Sequence, residues 1–254
     1  MSNERHRWNH NTHYYDIVIG AAPLSARTAL DVGTGDGLLA VRLAEKIPEV
    51  TGIDSDADVV NLAQSSTSAN VSWIIGDALT FALPEAHYDL VAAVATVHHF
   101  PDLTAGLQRL AGLTAPGGAL VVIGCARSST LSDYTFDALG VLQHQVLSRA
   151  RGFWRHNAPV RTQFPHTHTE VKQIATTVLA GMTWRRLPLW RYAITWHKSG
   201  VKTHRPTRTA TPWLTASEIP SQNRPPMETS DSRFRDQTTP DSAIRVRTSF
   251  DLYA

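Results

Sequence analysis

The stretch Leu30-Asp31-Val32-Gly33-Thr34-Gly35-Asp36-Gly37 decides the fold of this 254-residue chain. A short apolar run over residues 28–32 leads directly into a glycine-rich turn, and apolar residues at helical spacing follow from Leu38. Glycines at alternate positions allow a sharp turn and a close approach of the backbone to a ligand. We therefore predict a strand, a ligand-binding turn and a helix, which together begin an open α/β sheet.

Three further apolar runs end in polar residues. The run 50–54 ends at Asp54, the run 71–77 ends in Gly76-Asp77, and the run 88–94 leads into a turn that contains His98-His99-Phe100-Pro101-Asp102. A Pro-Gly-Gly turn at residues 116–118 then opens another apolar run. Because the carboxyl ends of parallel strands meet at one edge of a sheet, we expect these polar groups to lie close together.

In this order, the blocks resemble the motifs of class I S-adenosylmethionine-dependent methyltransferases over residues 28–125. The glycines read G-x-G-x-G, whereas the dinucleotide-binding motif reads G-x-G-x-x-G. The resemblance implies an α/β fold of the Rossmann-like type. It would contain a seven-stranded, mostly parallel sheet with an antiparallel last strand, helices on both faces and an N-terminal helical lid. Residues 182–189 and 190–198 are the predicted closing pair of strands.

The resemblance also implies S-adenosyl-L-methionine as cofactor and S-adenosyl-L-homocysteine as product. In the family's pattern, Asp31 would hold the ammonium group, Asp54 the ribose hydroxyls, and Asp77 and Ala78 the adenine. Asp54 could instead cap the next helix, and Asp77 could be a simple turn residue. The implied cofactor-binding residues are Asp31, Gly33, Thr34, Gly35, Gly37, Asp54, Ser55, Asp77, Ala78, Val94 and Tyr14.

Two adjacent histidines are the candidate catalytic residues. A hydroxyl or amine acceptor must lose a proton, and histidine is the usual base near neutral pH. His98 and His99 follow the fourth strand at the edge where the family binds acceptors, although they could equally shape the turn. Strand alternation makes it improbable that both face the site, and His98 is the better candidate. His156, His166 and His168 are weaker candidates.

The chain divides into one domain and a tail. Residues 1–198 are predicted to form the methyltransferase domain, in which 1–25 form a lid segment and 126–168 an insertion beside the acceptor pocket. An amphipathic helix is predicted over 128–151 within that insertion, and the prediction rests on seven apolar residues: Leu131, Tyr134, Phe136, Leu139, Leu142, Val146 and Leu147. Residues 199–254 hold six of the fourteen prolines and few apolar clusters, so we expect a disordered tail without catalytic function.

Composition narrows the class of protein. The net charge is +2, and its excess lies in the tail, so the neutral body argues against a nucleic-acid partner. The single cysteine and the lack of an apolar run long enough to span a membrane favour a cytoplasmic protein. The histidines lack the spacing of a metal site. We expect a small-molecule acceptor, no membrane partner, no metal, and a monomer or homodimer.

These observations favour methyl transfer to a small-molecule acceptor, at oxygen or nitrogen. The sequence leaves two alternatives of other classes open. The chain could be a non-catalytic cofactor-binding or assembly protein on the same scaffold. It could also be a nicotinamide-dependent oxidoreductase, which the glycine spacing and the acidic block at Asp77 oppose.

Overall fold

A computed structural model of the protein describes residues 8–67, 70–154 and 164–200. Seven strands form one sheet in the order β3-β2-β1-β4-β5-β7-β6. Their bounds are β1 (Thr28–Val32), β2 (Glu49–Asp54), β3 (Val71–Ile75), β4 (Tyr88–Val94), β5 (Thr114–Gly124), β6 (Thr183–Leu187) and β7 (Arg191–His197). His156 and the predicted tail beyond residue 200 lie outside the described residues.

The strand directions confirm the predicted class of sheet. Strands β3, β2, β1, β4 and β5 are mutually parallel. Strand β7 runs antiparallel to β5, and β6 runs antiparallel to β7. The predicted closing pair of strands is therefore present, with β7 as the antiparallel last strand of the described chain. Strand order reverses between β1 and β4, which is the point where open α/β sheets bind ligands.

Helices cover both faces of the sheet. Along β4, Val91 and Ala93 belong to one hydrophobic cluster, and Leu90 and Ala92 belong to the other. Helices α4 and α6 pack on the first cluster, and α1 and α2 pack on the second. The helix bounds are α1 (Tyr15–Ala21), α2 (Leu38–Ala44), α3 (Ala57–Ser66), α4 (Leu103–Leu113), α5 (Leu131–Arg151) and α6 (His168–Val178).

The N-terminal segment contributes a helix to one face of the sheet. Tyr15 and Val18 of α1 are buried in the second cluster, beside Ala119 and Val121 of β5. A short 3-10 helix, Thr12–Tyr14, precedes α1. Helix α1 is thus a packed component of the core, and its action as a lid stays a prediction.

Helix α5 forms where it was predicted but with an unexpected orientation. A capping box between Thr130 and Asp133 begins the helix, as such boxes do by satisfying free N–H groups. Of the seven apolar residues on which the amphipathic prediction rested, only Phe136 and Leu147 are turned toward the protein. The other five are exposed: Leu131, Tyr134, Leu139, Leu142 and Val146.

The insertion that contains α5 is closed at its base by backbone hydrogen bonds. The N–H of Arg127 donates to the carbonyl of His166 over 2.9 Å, and the N–H of His168 donates to the carbonyl of Arg127 over 3.2 Å. The two ends of the predicted insertion, residues 126–168, therefore meet beside the carboxyl end of β5.

The turn after β1 depends on a glycine. Gly33 has φ +68°, and a Cβ there would overlap the side chain of Thr96. The hydroxyl of Thr96 lies 3.0 Å from the carbonyl oxygens of both Val32 and Val94, so it joins β1 to β4. Any side chain at position 33 would displace this hydroxyl.

We expect Gly33→Ala to lower the free energy of unfolding by about 2 kcal/mol or more, because left-handed strain and a lost hydrogen bond add together. Gly20→Ala is the matched control, since its Cβ would meet nothing within 4 Å. Urea unfolding of both variants measures the difference. Equal stabilities would contradict the close fit of Thr96 over Gly33.

Candidate active site

A buried carboxylate lies under the glycine turn. Asp31 is 2% exposed, and the hydroxyl of Thr34 donates to its Oδ2 over 2.7 Å. Burial, together with the nearby carboxylates of Asp36 and Asp54, raises the pKa of Asp31 to about 7, although the hydrogen bond from Thr34 acts in the opposite direction. A cation placed next to this carboxyl group would strongly favour its ionised form.

Asp54 connects the ends of β1 and β2. Its Oδ2 accepts the N–H of Gly35 over 2.9 Å, and its Oδ1 accepts the N–H of Asp56 over 3.1 Å. A carboxylate has about four acceptor positions, so lone pairs remain for a ligand. The cap of α3 is supplied by Asp56, which accepts the N–H of Asp58, while Ser55 is exposed.

The third acid lies at the end of β3. Asp77 is exposed, and its Oδ1 accepts the N–H of Leu79 over 2.9 Å, which is the turn role considered from the sequence. Ala78 is buried, and its carbonyl accepts a bond from Arg109 over 3.4 Å. Arg109 also donates to the carbonyl of Phe81 over 2.8 Å, so this loop is fastened to α4.

The end of β4 contains a backbone feature that the sequence did not reveal. Val94 is half-buried and is followed by Ala95, whose φ is +55°. The N–H of Ala95 donates to the carbonyl of Ile123 over 2.7 Å and holds this conformation. Non-glycine residues in such strained conformations cluster at functional sites. Sequence reasoning missed Ala95 because alanine gives no signal for positive φ.

Two tyrosines of the N-terminal segment have different surroundings. The hydroxyl of Tyr14 donates to the carbonyl of Pro188 over 2.6 Å, in the turn between β6 and β7. Tyr15 is fully buried, and its pKa is raised by burial and by the carboxylates of Asp36 and Asp31. Tyr15 is therefore the tyrosine beside the glycine turn. The signal in the sequence for the burial of Tyr15 was Val18 three residues on, because this spacing places both side chains on one face of a helix.

The two histidines after β4 differ in solvent exposure. Both lie in the 3-10 helix Val97–His99, but His99 is exposed and His98 is half-buried. The His98 ring meets Phe164 edge to face at 5.2 Å and lines a small pocket. The lining residues are Val97, His98, Leu103, Cys125, Phe164, Pro165, His166, Val171 and Tyr192.

The pocket is apolar and lies at the carboxyl edge of the sheet. Cys125 is buried, which raises the pKa of its thiol and disfavours the reactive thiolate.

Across the described parts of the chain, no three His, Cys, Asp or Glu side chains come together as metal ligands would. None of the helices in those parts has both the length and the apolar character needed to cross a bilayer.

Known proteins resemble this chain along most of its described length. The family model described as "Methyltransferase domain" matches residues 29–118. An uncharacterised methyltransferase of Mycobacterium tuberculosis (strain H37Rv) is 38% identical over 190 residues, which cover 74% of this chain and 96% of the relative. The demethylmenaquinone methyltransferase of Deinococcus radiodurans is 35% identical over 39% of this chain and 43% of its own length.

Solved structures share the fold at lower identity. A SAM-dependent methyltransferase of Aquifex aeolicus has a TM-score of 0.51 at 18% identity and covers 72% of this chain and 88% of its own. An O-methyltransferase family protein of Burkholderia thailandensis has a TM-score of 0.53 at 17% identity, covering 74% and 56%. With the glycine turn and the acids at the ends of β1, β2 and β3, these similarities lead to one conclusion. The chain belongs to the class I S-adenosylmethionine-dependent methyltransferases.

Proposed function

We propose that this enzyme transfers the methyl group of S-adenosylmethionine to oxygen or nitrogen of a small-molecule acceptor, which binds beside His98. The observation that carries the proposal is the convergence of three acids and a glycine turn at the point where strand order reverses. Asp31, Asp54 and Asp77 end or follow adjacent strands there. Each acid has a different environment, as a ligand with chemically different parts requires.

The donor site is assigned residue by residue. Asp31 holds the ammonium group, because a buried carboxylate near its pKa gains most from a cationic partner. Asp54 accepts hydrogen bonds from the ribose hydroxyls with the lone pairs that Gly35 and Asp56 leave available. Asp77 and the N–H of Ala78 bind the adenine. The backbone of the turn from Gly33 to Gly37, with Thr34, fits closely around the ligand, and Ser55 and Val94 flank it.

The chemistry places modest demands on the protein. The bound sulfonium supplies an activated methyl group and its own leaving group. The residues of the chain have to align the acceptor, exclude water and receive the acceptor's proton. Tyr15 and the apolar side chains around His98 exclude water, and the His98 imidazole is the group placed to accept the proton. Tyr14 supports this wall through its bond to Pro188.

The named relatives support an acceptor specificity that lies outside the shared region. Relatives that match over 104 to 110 residues are named for demethylmenaquinone, for ubiquinone biosynthesis and for trans-aconitate. These are chemically dissimilar, so the shared segment fits a common donor. The acceptor of this chain is therefore selected by residues outside that segment, and Phe164, Tyr192 and the insertion at 126–168 are our candidates.

Calorimetric titration with S-adenosylhomocysteine tests the donor site. Wild-type protein should bind with micromolar affinity, and Asp54→Asn should weaken binding about tenfold or more, because charge-assisted bonds to the ribose are lost. Asp56→Asn is the matched control, since asparagine is an equally good helix cap. Equal affinities of the two variants would remove Asp54 from the donor site.

The pH dependence of that binding tests Asp31. Only the ionised carboxylate attracts the ammonium group, and the pKa of Asp31 without ligand is raised to about 7. Affinity for S-adenosylhomocysteine should therefore rise up to about tenfold per pH unit below pH 7 and level off above it. Titrations between pH 5.5 and 8.5 at constant ionic strength, roughly spanning that pKa, measure the slope.

The variant Asp31→Asn should bind weakly and without this slope, because asparagine can still accept the Thr34 bond but carries no charge. Relative to ligand-free Asp31→Asn, the ligand-free wild type should lose stability as pH rises from about 4 to about 7, since the folded state holds the Asp31 proton more tightly than the unfolded state does. A slope that persists in Asp31→Asn would assign the titration to another group.

The assignment of His98 is tested by turnover. We expect His98→Gln to lower kcat about 100-fold with little change in S-adenosylhomocysteine affinity, since a base acts on the acceptor alone. His99→Gln, on the exposed neighbour, should retain activity. Formation of S-adenosylhomocysteine is measured with simple phenols as trial acceptors, because a phenol must lose its hydroxyl proton when it is methylated. Equal activity of His98→Gln and wild type with an accepted substrate would show that no base acts at this position.

A further inference from the structure

Helix α5 presents apolar side chains to solvent along most of its length. We define the α5 apolar face by Leu131, Tyr134, Leu139, Leu142 and Val146. The aliphatic members are 87%, 55%, 60% and 57% exposed in that order. At 1.5 Å per residue, the face is about 22 Å long, and its members lie on one side of the helix. Exposed apolar patches of this kind mark interaction sites.

The orientation of the helix is held by buried charges on its opposite side. The Nη2 of Arg186 lies 3.1 Å from Asp137, and its Nε lies 3.6 Å from Asp133. Asp137 also accepts a bond from the hydroxyl of Ser128 over 2.6 Å. Rotating α5 to bury its leucines would break both ion pairs and leave Arg186 buried without them. The apolar face is therefore fixed in its outward position.

The inward side of α5 packs against the edge of the sheet that carries the active site. Gly140 lies against Leu189 and Trp190, in the turn between β6 and β7. This turn is at the carboxyl edge of the parallel strands, because Tyr192 pairs with Gly124, the last residue of β5. The α5 apolar face thus lies at the active-site end of the protein and points away from it.

After Asp137, the formally charged residues of α5 are all positive. Arg149 is exposed and follows Leu131 by about five full helical turns, so it extends the apolar face at its C-terminal end. Between Asp137 and Glu170 the sequence contains no acid, but it contains four arginines. They are Arg149, Arg151, Arg155 and Arg161. An apolar face that ends in basic residues is the pattern of helices that lie in the surface of anionic membranes.

A second copy of the chain is a poorer partner for this face. Parallel pairing of two α5 helices would place Arg149 against its own symmetry mate. Antiparallel pairing would place Arg149 at the N-terminus of the other α5 helix, which is the positive end of the helix dipole. The acid near that end, Asp133, is turned inward to Arg186. Neither arrangement supplies an acid to Arg149, whereas an anionic lipid headgroup does.

We propose that the α5 apolar face docks on an anionic lipid surface. The leucines and Val146 enter the boundary between headgroups and acyl chains, and Arg149 binds phosphate groups. Docking holds the edge of the sheet that carries the active site close to the lipid. This surface association differs from the sequence-based expectation of no membrane partner, which rested on the lack of a spanning segment. It is independent of the identity of the acceptor.

Vesicle flotation of the full chain tests the proposal. Wild-type protein should float with vesicles of mixed phosphatidylcholine and phosphatidylglycerol at low salt, and less with phosphatidylcholine alone. The double variant Leu139→Gln, Leu142→Gln should reduce the bound fraction about tenfold, because two apolar side chains no longer enter the lipid. Arg149→Gln should reduce binding to the anionic vesicles only. Leu62→Gln, on an α3 residue that is 52% exposed, is the matched control and should bind like wild type.

Titration with S-adenosylhomocysteine shows whether each variant is folded. Wild-type protein that fails to float at low salt would overturn the proposal, and so would equal flotation of the double variant and Leu62→Gln. Sedimentation velocity tests whether a second copy of the chain covers the α5 apolar face instead. A wild-type dimer that becomes a monomer in the double variant would assign the face to that second copy. A monomer in both cases, together with lost flotation, supports the lipid surface.

Discussion

The hydroxyl of Thr96 determines how the carboxyl ends of β1 and β4 meet. It lies 3.0 Å from the carbonyl oxygens of Val32 and Val94 and occupies the space above Gly33. Strand order reverses at this junction, so no crossover helix covers it and a ligand can enter. The glycine turn, the buried Asp31 and the strained Ala95 all surround this junction. The candidate active site therefore lies at one topological feature and the hydrogen bonds that complete it.

Buried charge has two different uses in this protein. Asp31 is buried with Thr34 as its hydrogen-bond donor. Burial destabilises the ionised carboxylate and so raises its pKa, and a cationic ligand can offset this destabilisation. Arg186 is buried with Asp133 and Asp137, and these partners satisfy its charge within the protein. The first arrangement is the one on which the proposed donor site depends. The second pairs Arg186 with two acids of α5 and so fixes the orientation of that helix.

The orientation of α5 connects the insertion to the rest of the protein. Its acids point inward and Leu131, Leu139 and Leu142 point outward, whereas a helix on a protein surface usually turns its charged residues to solvent. Natural proteins expose such faces where another surface covers them. The same helix forms one side of the active-site edge through Gly140 and Trp190. Contact with the edge of the sheet and the proposed contact with a partner surface thus lie on opposite sides of one helix.

Local patterns in the sequence determined the strands, the glycine turn and the acids at the strand ends. Strand β1 matches its predicted bounds, because an apolar run and its terminator are properties of neighbouring residues. Tertiary structure decided the surroundings of adjacent residues: Tyr15 lies beside the glycine turn and Tyr14 at Pro188, while His98 is half-buried and His99 exposed. It also decided the rotation of α5, because periodicity shows which residues share a face but not that Arg186, about 50 residues away in sequence, would attract the opposite one.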